Sequence, residues 1–245
     1  MQQDIFRITE NREIAPSVFR MKAEGDTKAI TKPGQFVNIL LDGFYLRRPI
    51  SVCDVNENSL TIIYKVVGEG TKLMSSMKEG ESLDILTGLG NGYDLSLSGN
   101  RPLLLGGGVG VPPLYLLAKE LRAQGKEVTA VLGFNTGEEV FYEKEFKDLG
   151  VKTLVTTADG SYGIKGFVTD AMNDIDYTYF YICGPEPMLK AVYDLSETEG
   201  QFSFERRMGC GFGACMGCSC KTRNGFKRIC KEGPVLMKEE IIWED

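Results

Sequence analysis

The sequence predicts a multidomain chain in three successive parts: an antiparallel β-barrel, a central α/β domain with a parallel sheet, and a small cysteine-rich module. Three observations carry this expectation. Short alternating segments separated by turn signals fill residues 1 to 97. Strand and helix patterns then alternate from about 101 to 200. Beyond Gln201, five of the seven cysteines fall within 21 residues. The expected boundaries are 1–98, 99–200 and 201–245.

In the first part, IFRI (5–8), SVFRM (17–21) and the stretch 36–41 read as strands. Asp42-Gly43 reads as a turn before YLRRPISV. Asn56-Glu57-Asn58 reads as a hairpin turn before SLTIIYKVV. A short helix is expected over 71–77 and a further strand at SLDIL. About six short strands favour a small barrel over a sandwich.

The pattern changes at Asn100-Arg101-Pro102. RPLLLGGG is an apolar strand ending in three glycines, and VPPLYLLAKELRAQG is a helix with Leu114, Leu117 and Leu121 on one face. Pro112 and Pro113 suit its first turn. EVTAVLGF, VKTLVTTAD and YTYFYICG continue as strands. EEVFYEKEFKDLG, FVTDAMND and EPMLKAVYDLSETEG are the helices expected between and after them.

Composition narrows the chemistry. With 245 residues, of which 42% are hydrophobic, a substantial core is available. A net charge of −6 supplies no positive field for a nucleic-acid backbone. No apolar run approaches the roughly 18–20 residues of a bilayer span. MQQDIFRITENREI also lacks a signal-peptide pattern, so the chain reads as soluble and cytoplasmic. There is no histidine. That excludes serine–histidine and cysteine–histidine hydrolase sites and imidazole-ligated zinc within the chain. Cofactor-borne electron or hydride transfer needs little side-chain acid–base work and fits the absence.

Cys210, Cys215, Cys218 and Cys230 follow C-x4-C-x2-C-x11-C, interleaved with Gly209, Gly211, Gly213 and Gly217. Plant-type [2Fe–2S] proteins use C-x4-C-x2-C with a distant fourth cysteine. Glycines let backbone amides turn toward the sulfurs. A four-cysteine zinc site is the competing reading, though it normally needs a second C-x2–4-C knuckle. A disulfide framework suits an intracellular chain poorly. Cys220 competes with Cys218 as a ligand; Cys218 is preferred because it keeps the two-residue spacing. Cys53 and Cys183 are isolated and read by default as small buried apolar residues.

Four motifs stand in order: LRRPISV (46–52), IIYKVVGEGT (62–71), LLLGGGVGVPP (103–113) and YICGPEPML (181–189). Together they resemble the ferredoxin–NADP reductase superfamily. The cysteine module placed after them resembles, over essentially the whole chain, the electron-transfer subunits of type B dihydroorotate dehydrogenase. The resemblance implies FAD bound by Arg48, Pro49, Ile50 and Ser51, by Ile63, Tyr64 and Lys65, and by Gly70 and Thr71. Without it, Arg48 would be a solvated cation and Gly70-Thr71 a turn and helix cap. Gly106, Gly107, Gly108 and Gly110 resemble the nicotinamide-nucleotide loop of the superfamily. Cys183, Gly184 and Pro185 resemble its turn beside the nicotinamide, where Cys183 would position the ring. Glu138 and Glu139 oppose an extra phosphate, which favours NAD over NADP.

The resemblance further implies NAD-linked dihydroorotate oxidation in pyrimidine (UMP) synthesis. The partner would be an FMN-containing catalytic subunit, in a heterotetramer of two plus two chains. The cysteine module would lie at the subunit interface. Alternatives with the same parts are a differently partnered NAD(P)H:acceptor reductase, a sulfide dehydrogenase or glutamate synthase-like electron-transfer subunit, and a cluster-binding redox sensor. The tail KEEIIWED is expected to close over the cluster or to pack on the barrel.

Overall fold

A computed structural model describes residues 1–243; Glu244 and Asp245, the end of the KEEIIWED tail, lie outside the described residues. β1 (Gln2–Ala15), β2 (Val18–Glu24), β3 (Phe36–Leu40), β4 (Arg48–Val55), β5 (Ser59–Lys65) and β6 (Ser82–Leu89) close a six-stranded barrel in the order β1-β2-β5-β4-β3-β6. Every pairing in it is antiparallel. Alternation sends Phe6, Ile8, Val37, Ile39, Ile62 and Ile85 inward to one core. A short helix, α1 (Glu69–Ser76), joins β5 to β6. Asn11 holds its far end by donating from Nδ2 to the carbonyls of Met74 (2.8 Å) and Met77 (3.0 Å).

The central sheet is built from β7 (Pro102–Gly107), β8 (Thr129–Phe134), β9 (Lys152–Thr157), β10 (Ile164–Lys165), β11 (Tyr179–Cys183) and β12 (Gly200–Ser203). These strands are parallel. Its helices are α2 (Pro112–Ala123), α3 (Glu143–Asp148), α4 (Val168–Met172) and α5 (Glu186–Leu195). Leu114, Leu117 and Leu121 of α2 are fully buried, which stabilises by about 1.5–3 kcal/mol each. Pro112 and Pro113 occupy the first turn of that helix.

The helix expected over 138–150 is much shorter. Tyr142 has a φ of +66°, so helical backbone begins only at Glu143. Phe141 and Tyr142 are buried in the core shared with the barrel, and that packing overrides helix propensity.

β13 (Ser219–Thr222) and β14 (Gly225–Arg228) form a hairpin after the first three clustered cysteines. The chain then returns as β15 (Val235–Met237), antiparallel to β12. The expected parallel sheet is therefore a mixed, seven-stranded one in the order β10-β9-β8-β7-β11-β12-β15. Two segments flanking the cysteine loop, β12 and β15, complete the central sheet. The loop and its hairpin project from that edge.

Asn91 anchors the returning strand. Its Nδ2 donates to the carbonyls of Glu232 (3.1 Å) and Val235 (2.7 Å), and its Oδ1 accepts from Val235 N (3.1 Å). Within the described part of the tail, Ile241 bridges to Thr222 of β13 and Glu240 pairs with Lys227 of β14, so this segment lies against the cysteine module's hairpin. Trp243 packs on the central domain, against Tyr193 of α5 and Phe204.

Replacing Asn91 with Ala leaves these backbone groups without partners. We expect a loss of about 1–3 kcal/mol in unfolding free energy, read as a lower urea midpoint at unchanged slope.

Candidate functional site

Register defines the two faces of β4. Arg48 lies opposite Ile39, Pro49 opposite Asn38, Ile50 opposite Val37 and Ser51 opposite Phe36. Directly opposed residues share a face. Val37 and Ile39 line the barrel interior, so Pro49 and Ser51 lie on the outer face with Asn38 and Phe36. All four residues of the R-P-I-S segment are half-buried.

Arg48 runs from the strand end to the start of α1. A Cβ added to Gly70 would meet Arg48 Nε at 2.2 Å, so the guanidinium crosses the helix where only glycine leaves room. Its other side covers the Phe44 ring at 4.7 Å. The hydroxyl of Thr71 is occupied: it accepts from Val67 N (2.9 Å) and Gly68 N (3.2 Å) and donates to the Gly68 carbonyl (3.0 Å). It therefore shapes the helix start. An anion here would meet Arg48 and the first-turn amides of α1. This donor set fits a dinucleotide pyrophosphate.

Of the I-Y-K segment, only Lys65 keeps an accessible side chain. Ile63 is buried in the core shared with the central domain. Tyr64 is buried in the barrel, and its hydroxyl donates to Asn11 Oδ1 at 3.0 Å. Burial pushes the Tyr64 phenol up, so it stays neutral. It thus braces α1 through Asn11. Lys65 Nζ pairs with Glu139 at 3.6 Å across the two domains.

The second crevice lies between β7 and β11. Strand order reverses there, since β8 and β9 extend to one side and β12 to the other. Ligands in open α/β sheets bind outside the strand ends at such a switch point. The glycine loop follows β7, and Cys183-Gly184-Pro185 follows β11. Three of the four glycines are small because protein fills their Cβ positions. An added Cβ would lie 2.9 Å from Val111 at Gly106, 2.5 Å from Met188 Sδ at Gly107, and 2.3 Å from the Cys183 carbonyl at Gly110. Gly108 alone, at φ +52°, has no atom near its Cβ position and leaves open space. β5 packs against the turn Gly108–Gly110, so the barrel strand ending in Lys65 adjoins this crevice.

The cysteine loop divides its thiols into pairs. Cys210 Sγ accepts from Ala214 N (3.2 Å) and Cys215 N (3.4 Å). Cys215 Sγ accepts from Cys210 N (3.4 Å) and Gly217 N (3.5 Å). Cys218 Sγ accepts from Cys230 N at 3.4 Å. Positive φ at Gly211 (+78°), Gly213 (+92°) and Met216 (+61°) turns these amides inward. Among the described residues, no three metal-ligating side chains close around a single ion. A split into Cys210–Cys215 and Cys218–Cys230 fits a two-iron cluster, which takes two thiolates per iron.

Electrostatics agrees with that fit. Desolvation opposes ionisation of Cys210, but the amides of Phe212, Cys215 and Ala214 outweigh it and lower its thiol. Burial, together with Cys218 and Cys210 nearby, raises Cys230. Four thiolates cannot coexist here without cations among them. Cys220 lies on β13 opposite Lys227, with Arg206 in its surroundings and no hydrogen bond to the four sulfurs.

Several residues without a sequence motif hold these parts together. Arg228 donates from Nη1 to the Gly213 carbonyl (2.7 Å) and from Nε to Glu232 (2.9 Å), bracing the cysteine loop. Arg206 forms a forked pair with Glu186 at the start of α5 (2.8 and 3.2 Å). Asn38 of the barrel donates to the Cys210 carbonyl at 3.1 Å. Only the arginine–acid pairs could have been suspected from sequence, because their charges are evident there.

Cys183 is a poor candidate for acid–base or nucleophilic work. Burial, only partly offset by Ser203, pushes its thiol up to about 12. Iodoacetamide at pH 8 should leave Cys183 unlabelled in the folded chain and label it after denaturation, as read by peptide mass spectrometry. Equal labelling in both states would refute a neutral thiol at this half-buried position.

Two family profiles match this chain. One is described as an oxidoreductase NAD-binding domain and covers residues 104–194. The other is described as the iron-sulfur cluster binding domain of dihydroorotate dehydrogenase B and covers residues 205–242. Curated relatives include the dihydroorotate dehydrogenase B (NAD(+)) electron transfer subunit of Fusobacterium nucleatum, 47% identical over 96% of each chain. The corresponding subunit of Geobacillus sp. is 43% identical over 99% of each. Among solved structures, an NADH-dependent reduced ferredoxin–NADP oxidoreductase described for flavin-based electron bifurcation is 32% identical. It has a TM-score of 0.87 and covers 97% of this chain and 90% of that one. A ferredoxin–NADP+ reductase from Neisseria gonorrhoeae, solved with FAD and NADP, shares the fold at 17% identity and a TM-score of 0.68, over 79% of this chain and 90% of that one. With an NAD-binding domain at its centre and an iron–sulfur binding domain at its C-terminal end, this oxidoreductase chain belongs to the family of dihydroorotate dehydrogenase B electron-transfer subunits.

Proposed function

We propose that this subunit links dihydroorotate oxidation, on an FMN-containing catalytic partner, to reduction of NAD+ in pyrimidine biosynthesis. The observation that carries the reading is the two-by-two division of Cys210, Cys215, Cys218 and Cys230, with backbone amides directed at their sulfurs. When bound, a [2Fe–2S] cluster would supply one-electron exchange and FAD the switch between single electrons and hydride exchange with NAD+.

The chain's own residues bind and orient. Arg48 and the amides at Gly70 hold the FAD pyrophosphate, while Pro49 and Ser51 present the outer face of β4 to the flavin. Ile50 supports that strand from within the barrel, Ile63 backs it from the seam with the central domain, and Tyr64 and Thr71 hold α1 in place. Gly108 admits the nicotinamide nucleotide. Gly106, Gly107 and Gly110 pack the loop tightly enough to meet Cys183, Gly184 and Pro185. Cys183 acts as a neutral wall that positions the ring, because geometry is the main requirement of hydride transfer. Glu139 neutralises Lys65, so that cation is not free to hold a 2′-phosphate, and NAD is the expected nucleotide.

The cysteine loop exposes Phe212, Cys215 and Met216, which suits it to meet the partner subunit. The assembly is two of these chains with two catalytic chains. A second reading, a reductase with a different partner, draws on the likeness to the ferredoxin–NADP oxidoreductase. It would use the same residues and change only the outside electron donor or acceptor.

Co-purification with the catalytic partner and counts of iron, sulfide, FAD, FMN and chains test the reading. We expect two irons and one FAD per chain of this subunit, and NAD+ reduction that depends on dihydroorotate and on the partner. A complex that oxidises NADH but never turns over dihydroorotate would favour the second reading.

Cys215→Ser should lose the cluster and dihydroorotate-dependent NAD+ reduction while retaining NADH oxidation by ferricyanide. Full iron content in that variant would refute the ligand assignment. Arg48→Ala should weaken FAD binding by about 1–3 kcal/mol, measured by flavin release on dilution.

A further inference from the structure

The strand beside the R-P-I-S segment carries a buried polar residue that no cofactor motif accounts for. Asn38 lies at the centre of β3 and is 1% exposed. Val37 and Ile39 point into the barrel. Phe36 and Asn38 therefore point outward, and Phe36 joins the core that contains Cys218 and Cys230. A surface against such a core would ordinarily be apolar at position 38 as well.

Asn38 makes a specific contact instead. Its Nδ2 donates to the carbonyl of Cys210 at 3.1 Å. Gly211, at φ +78°, is shaped around it: a Cβ there would lie 2.3 Å from Asn38 Nδ2. Oδ1 is buried and has no hydrogen-bond partner among the described residues. An unsatisfied buried acceptor is unfavourable, so the donor at this position is kept at a cost to stability.

The backbone of Asn38 is fixed from the other side. Its carbonyl accepts from Arg47 Nη1 at 3.2 Å, and Arg47 pairs with Asp84 at 2.8 Å. Directly across the ladder stands Pro49. One residue thus bonds to the loop of the first cysteine and faces the middle of the R-P-I-S strand.

We propose that Asn38 is a positioning residue for electron exchange between the cysteine loop and the flavin strand, acting through its hydrogen bond to the Cys210 carbonyl. This rests on the cluster and flavin assignments above. The step concerned moves one electron between the two cofactors; no bond is made or broken and no proton is exchanged at Asn38. A hydrogen bond bridges the barrel and the loop where a van der Waals gap would otherwise stand, and electron transfer weakens steeply across such gaps. Holding the Cys210 peptide against β3 also fixes the separation of the two sites.

The test uses the full complex with Asn38→Leu and Asn38→Asp. Leucine removes both the donor and the unpartnered acceptor at similar volume. Aspartate keeps the shape but cannot donate to the carbonyl when ionised. Four readouts are needed: iron and flavin content, NADH–ferricyanide rate, the rate at which NADH bleaches the cluster in anaerobic rapid mixing, and the low-temperature EPR spectrum of the reduced cluster.

We expect parental cofactor content and ferricyanide rate, an altered EPR spectrum, and cluster bleaching slowed at least tenfold. Bleaching within twofold of the parent in both variants would overturn the proposal. Loss of cluster or flavin in both variants would assign Asn38 a purely structural role and overturn it as well. A parent complex without iron and sulfide would instead overturn the cluster reading beneath it.

Discussion

Ala15, Val18, Cys53 and Ile63 of the barrel share one continuous apolar core with Leu104, Leu114 and Leu117 of the central domain. The rest of the molecule depends on this seam. Helix α2 lies against β4 across it, and the ion pair Lys119–Asp54 (2.8 Å) marks its rim. Phe141 and Tyr142 are drawn into the same core, at the expense of a left-handed backbone at Tyr142. Because the seam is apolar and well filled, the two domains meet in one orientation, and the end of β5 comes to rest on the turn Gly108–Gly110. Two cofactors held on either side of the seam could exchange hydride only in such fixed apposition.

The cysteine loop obeys a different constraint. Cys218, Ile229 and Cys230 root it in the apolar core with Phe36 and Phe202, and polar clamps hold the rest: Arg228 with Glu232 on one side, Asn91 at the returning strand, Asn38 from the barrel. Its amides already point at sulfur before any cation is considered. Those amides favour thiolate at Cys210, whereas burial and neighbouring thiols resist it at Cys230. The loop is thus preorganised in geometry and frustrated in charge, a frustration that bound iron would relieve. Cys218 and Cys230 face the protein while Cys215 is exposed, which leaves one side of the loop open toward a partner.

Glycine illustrates how one residue type serves two ends. At Gly106, Gly107 and Gly110 the missing side chain lets the protein pack on itself, and at Gly108 it leaves room for something else. The sequence treats all four alike. Thr71 and Tyr64 make the same point from the other direction. Both sit within recognisable flavin motifs, yet the hydroxyl of one is spent on the helix start and that of the other on Asn11. What the two residues hold in place is helix α1.

The order of barrel, α/β unit and cysteine segment was readable from the residues alone, because hydrophobic period, turn chemistry and cysteine spacing are local properties. The spacing of the four cysteines is local in the same sense, whereas the R-P-I-S segment and the glycine loop stood out through their likeness to a known superfamily. Contacts between distant segments were not. Asn38 meets Cys210 across 172 positions, β15 pairs back onto β12 and makes the sheet mixed, and Trp243 settles on α5. An alternating strand announces that it has two faces but not what each will meet. Barrel closure, the apolar seam and the returning strand decide that together, and they exist only in the folded chain.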